Sequence, residues 1–141
     1  MRCHYLLGKS RHHGRGLAVI EMAFVLPVFL MLAFATITYG LALYNQAVIT
    51  NASREAARAG ISFRVPAPSH EDITQTALDY CQEHLITFGS QVAPEVVIEE
   101  PAGRIPGEPL RVTVSYAYTG LALLKVLSPG PLAATATMIF E

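Results

Sequence analysis

Glu21 is the only formally charged side chain between Leu17 and Ile49, and it follows Gly16 by five residues. An ionised carboxylate in hydrocarbon costs several kcal/mol, so an acidic residue in an apolar run of this length is a functional hypothesis by default. The plainer reading is a charge that snorkels to nearby headgroups, about one helical turn from the start of the run.

Other candidate chemistry is sparse. Beyond the first sixteen residues the histidines are His70 and His84, and no His, Cys and carboxylate set stands at metal-ligand spacing. There is no phosphate loop, nucleophile elbow or H-E-x-x-H pattern. Glu99-Glu100 adjoin a proline turn and read as a solvated face or as the charge guard of an edge strand. The sequence predicts a protein that is not an enzyme and needs no cofactor or metal. Cys3 and Cys81 fall on opposite sides of the apolar run, which excludes an internal disulfide if that run crosses a membrane. Cys81 lies on the apolar face of a predicted helix and reads as a buried free thiol, the alternative being a bond to a second subunit.

The elements that position these residues follow from composition. A chain of 141 residues has room for one small domain besides the apolar run. Arg2, Lys9, Arg11 and Arg15 precede the run without an acidic neighbour, while six basic side chains face ten acidic ones after it. Basic residues at one end of a span hold that end in the cytoplasm, so the acidic remainder is expected outside it. No basic, aromatic-interleaved patch suggests nucleic-acid binding. As a helix, Leu17 to Tyr44 reaches about 42 Å, more than the ~30 Å hydrocarbon core, so it tilts or projects beyond the bilayer. Pro27 removes one helical hydrogen bond and is expected to bend the span. A basic start, an apolar core and Ala33-Phe34-Ala35 also fit a secretory signal cut before Thr36, but the apolar run continues well past that point.

Residues 45–61 are expected to continue the helix on an alanine-rich stretch. Arg54 and Arg58 stand one turn apart as a solvated face or a headgroup contact, with Glu55 placed for a weak ion pair to Arg58. Val65-Pro66-Ala67-Pro68 reads as a hinge. Ser69 to Asp72 has the form of a capping box, opening a helix whose apolar face is Ile73, Ala77, Tyr80, Cys81, Leu85 and Phe88 and which Gly89 ends. Val96-Val97-Ile98, the alternating stretch Leu110 to Thr119, and Leu132 to Phe140 read as three strands. Gly120 to Gly130 fits either a short helix or an apolar loop. The predicted class is α+β: a long N-terminal transmembrane helix with an extension, then a head of one helix on a small antiparallel sheet.

The stretch RGLAVIEMAFVLPVFLMLAFATITYGLALYNQAVITNASREAARAG resembles the TadE-like family of tight-adherence (Flp) pilus assembly proteins. The residues that carry the resemblance are Arg15-Gly16, Glu21, Pro27 and Arg54-Glu55-Ala56-Ala57-Arg58-Ala59-Gly60. A glycine followed five residues on by a glutamate is similar to the processing site of type IV pilins and pseudopilins. The resemblance implies a basic leader over 1–16, removed by a prepilin peptidase between Gly16 and Leu17. It implies a span with its periplasmic extension over 17–62, a hinge over 63–68 and a periplasmic head over 69–141. It further implies that Glu21 neutralises the Leu17 amine of a neighbouring subunit or its own, and that Arg54 and Arg58 form a docking face. The partners implied are the peptidase, other Tad pseudopilins and pilus assembly proteins, and the lipid bilayer of the bacterial inner membrane. An uncleaved membrane-anchored periplasmic scaffold is the alternative.

Overall fold

The computed structural model describes residues 13–62, 65–87, 92–100, 103–118 and 130–140. Its elements run α1 (His13–Gly60), α2 (His70–His84), β1 (Glu95–Glu99), β2 (Pro109–Tyr116) and β3 (Leu132–Ile139). The three strands form one antiparallel sheet in the order β1-β2-β3, so the class is α+β as the sequence predicts. The ambiguous stretch 120–129 and the leader residues up to His12 lie outside the described residues.

The chain divides into two compact units between Thr36 and Ile37. The described part of the first is helix throughout. Leucine, alanine, methionine and phenylalanine give it good propensity, and Pro27 lies inside the helix without ending it. With no proline N–H, the carbonyl of Ala23 lacks its usual partner four residues on. The large apolar side chains of this unit point outward: Leu17, Phe24 and Phe29 are all more than 60% exposed.

The second unit holds the rest of α1, α2 and the sheet. Along α1, Ala42, Ile49, Ala52, Ala56 and Ala57 are buried in one core with Ile73, Ala77 and Cys81 of α2 and Leu110, Val112, Val114 and Tyr116 of β2. Small side chains on the helix let it lie close to the others, and the alternation of β2 and β3 turns every second residue inward. Gly60 marks the tightest approach. A Cβ there would lie 2.5 Å from Leu110 Cδ2 and 2.9 Å from Ile73 Cδ1, so any larger residue would force those side chains to shift.

The hairpin between β2 and its neighbours is set by turn chemistry. Pro106 and Gly107 occupy the centre of a turn closed by the Glu108 N–H to Ile105 O bond, with Gly107 at φ 91°. The Gly107 N–H also bonds to Phe140 O while Phe140 N–H bonds to Glu108 O, the pattern of a bulge with glycine at its first position. From there β2 and β3 pair in register from Pro109↔Ile139 to Tyr116↔Leu132.

Helix α2 opens as predicted. Ser69 Oγ accepts from the Asp72 N–H at 3.1 Å, and Asp72 Oδ2 accepts from the Ser69 N–H at 2.8 Å. Its end differs from the sequence expectation. The helix stops at His84, with Leu85 extended at its C-terminus, and not at Gly89, which lies outside the described residues together with Phe88. The reason is Asn45 of α1. This buried amide donates to Ile86 O at 2.9 Å and accepts from the Ile86 N–H at 3.1 Å, occupying both backbone groups that a further helical turn would need.

Candidate functional site

In the first unit, the Gly16–Leu17 bond lies one turn after the start of α1 at His13. A Cβ at Gly16 would meet nothing within 4 Å, unlike one at Gly60. Packing within the chain therefore gives no reason for glycine at this position. Glu21 stands one turn beyond Leu17 on the same side of the helix. It is exposed, and so are its neighbours Leu17, Val19, Ile20 and Met22. The carboxylate thus sits in an uninterrupted apolar surface. Helix α1 is long and apolar enough to cross a membrane. Its outward-facing part from Leu17 to Thr36 reaches about 30 Å, the thickness of a hydrocarbon core.

In the second unit, Arg54 and Arg58 point outward from α1, with Asn51 and Glu55 on the same exposed side. Ala52, Ser53, Ala56 and Ala57 take the buried side, so the alanine-rich stretch is an amphipathic helix whose apolar stripe is made of the smallest side chains. Glu55 and Arg58 make no ion pair with one another, in contrast to the spacing-based expectation. Both side chains are exposed, and an i,i+3 pair in water gains too little to hold them together.

Of the acidic pair, Glu99 is exposed on the edge strand β1, in keeping with a solvated charge at an edge, whereas Glu100 departs from that expectation. Glu100 has a side chain only 12% exposed and receives His70 Nε2 at 3.2 Å and Arg104 Nε at 3.4 Å. It ties the first residue of α2 to the loop after β1. Glu99 meets Arg111 Nη1 at 3.2 Å across the β1–β2 ladder, where the two are direct register partners. The Glu100 contacts link α2 to the segment after β1, and the Glu99–Arg111 contact links β1 to β2. Among the described residues, no group of three or more His, Cys, Asp and Glu could hold a metal ion.

Cys81 is fully buried and free, and burial pushes its thiol up to about 11. A thiol so placed is neither a nucleophile at neutral pH nor open to a second subunit. Sequence reasoning singled out Gly16, Leu17, Glu21, Pro27, Arg54 and Arg58. It missed Asn45 and Gln46, and it named Gly60 without its packing against Leu110 and Ile73. The signal for Asn45 was present: it lies four residues before Ile49 and seven before Ala52, on the stripe that is buried.

No curated protein and no solved structure matches the chain. One protein-family model does, that of the TadE-like proteins, and it aligns from Gly16 to Arg58. The segment that holds both the lone carboxylate and the arginine pair is therefore a TadE-like segment, the family its sequence resembles.

Proposed function

We propose that the protein is a single-pass, minor pseudopilin-like component of a tight-adherence (Flp, type IVb-like) pilus assembly system. The observation that carries this reading is the start of the TadE-like match at Gly16, directly ahead of an exposed apolar stretch of α1 in which Glu21 is the one charge from Leu17 to Ile49. On this reading the basic leader 1–16 is removed by a prepilin peptidase. Leu17 then carries a new amine one turn from Glu21. Two unpaired charges in lipid are costly, and pairing carboxylate with amine, on a neighbouring subunit or within the chain, offsets that cost. Charge pairing of this kind would select correctly staggered neighbours among the other Tad pseudopilins. Arg54 and Arg58 offer a cationic face to such partners or to acidic headgroups. The protein would lie in the bacterial inner membrane with its N-terminus in the cytoplasm and residues 62–141 in the periplasm, and it would support pilus biogenesis, adherence and biofilm formation.

Mass spectrometry of the mature N-terminus tests the reading. A chain beginning at Leu17 is expected, and Gly16→Phe should make the precursor accumulate. A mature start at Thr36 would mean secretion by signal peptidase. An intact Met1 would leave the uncleaved periplasmic scaffold as the function.

A further inference from the structure

The two edges of the sheet are treated differently. Strand β1 has Glu95 and Glu99 at its ends, and α2 packs against it. Strand β3, Leu-Ala-Ala-Thr-Ala-Thr-Met-Ile, has eight residues without a charge, a proline or a bulge of its own. Among the described residues it has a strand neighbour on one side only. An edge this long and uncharged is a template for another strand unless something guards it.

The ladder shows which backbone groups are open. Phe140 N–H bonds to Glu108 O, so Phe140, Met138, Ala136, Ala134 and Leu132 direct their N–H and C=O groups toward β2. The alternate residues Ala133, Thr135, Thr137 and Ile139 direct theirs away from it. The carbonyl of Ala133 is already taken by Gln46 Nε2 of α1 at 2.8 Å, which closes that end of the edge. Thr135, Thr137 and Ile139 remain as an open row with exposed side chains.

We propose that this row pairs with β3 of a second copy of the chain, antiparallel and centred on Thr137. The geometry is self-complementary. With Thr137 opposite itself, Thr135 faces Ile139 of the other copy, and each open N–H meets an open C=O. A two-fold contact sets every residue against its own kind or its mirror position, so a charge near the centre would face its like. The charge-free composition of β3 fits that demand, whereas two copies of β1 would bring glutamates together. Pairing ends where Gln46 caps Ala133. The inference is independent of cleavage at Gly16.

The test is oxidative cross-linking of the full chain in detergent, in a Cys3→Ser background where Cys81 is buried. The Thr137→Cys chain should form a disulfide-linked dimer. Thr135→Cys and Ile139→Cys chains should link to each other when mixed and far less to themselves, while the parent Cys3→Ser chain, with Cys81 buried, forms no disulfide-linked dimer. Thr137→Pro removes only an outward-facing N–H and should leave the head folded, judged by protection of Cys81 from alkylation. Sedimentation should then show roughly tenfold weaker dimerisation, the loss expected for about 1–2 kcal/mol of hydrogen bonding. Thr137→Lys, with like charges across the axis, should act the same way. Absence of a Thr137→Cys dimer, or dimerisation untouched by Thr137→Lys, would overturn the proposal.

Discussion

Two glycines on the same helix show how differently one residue type can be used. At Gly16 a side chain would meet empty space, whereas at Gly60 it would overlap the methyl ends of the buried Leu110 and Ile73 side chains, which would have to shift. Gly60→Ala is therefore predicted to destabilise the second unit by roughly 1–3 kcal/mol despite alanine's better helix propensity. Alkylation of Cys81 against denaturant concentration, in a Cys3→Ser chain, reads this directly because the thiol is inaccessible in the folded state. A midpoint unchanged or raised would mean that the core yields at this point. Glu21→Gln asks a different question, since it keeps size and removes charge. Membrane insertion should be unimpaired or improved. If the protein is the pseudopilin proposed above, cleavage after Gly16 should survive, and association with other pilus subunits should fail. Normal piliation by the Glu21→Gln variant in a deletion strain would show that the carboxylate is only a tolerated interfacial charge.

At the scale of elements, the strands and the apolar face of α2 were legible because period-two and near-3.6 patterns are local properties of sequence. Leu110, Val112, Val114 and Tyr116 alternate on paper as they do in the sheet. What escaped was the double role of α1. Thr38, Ala42, Asn45 and Ile49 look like the continuation of an apolar span, yet all are buried in the second unit. Hydropathy does not distinguish a side chain facing lipid from one facing a protein core, since both surroundings are apolar. Asn45 carries the difference, because an uncharged amide that bonds both backbone groups of Ile86 belongs to a core. Asn45→Ala should leave those groups unsatisfied, at a cost of roughly 2 kcal/mol, and free the end of α2. Faster amide exchange confined to residues around Ile86 would confirm the clamp. The core also predicts a pH response. The Cys81 thiol is raised by burial from about 9 to about 11, and the Tyr118 hydroxyl is raised by burial and by Tyr116. A raised acid favours the folded state's neutral form. Its contribution is intact below about pH 9 and is lost as pH climbs toward 11. Denaturation midpoints followed by tyrosine circular dichroism should fall over that window, and less steeply in a Cys81→Ala chain.

For the whole molecule, charge and hydropathy are arranged along the chain in one order: basic residues, an apolar helix, then an acidic remainder. The four basic residues ahead of Leu17 set the orientation of a span, while acidic residues in a following domain weigh little in that choice. The prediction is that the second unit lies on the far side of the cytoplasmic membrane. A phosphatase fused after Glu141 should be active, because that enzyme folds only outside the cytoplasm, and a fluorescent reporter that requires the cytoplasm should be dark there. Moving the charge should move the domain. Replacing Arg2, Lys9, Arg11 and Arg15 with glutamine removes the asymmetry, so a fraction of chains should invert and the phosphatase signal should drop. The position of the second unit also bears on Cys81, since an exposed thiol in an oxidising compartment would be drawn into disulfides. Full burial spares it, so thiol labelling after denaturation should find Cys81 reduced in protein taken directly from the membrane. An active cytoplasmic reporter after Glu141, with the phosphatase silent, would place the acidic domain on the inner side, where it could not meet an extruded fibre, and would remove the pilus reading.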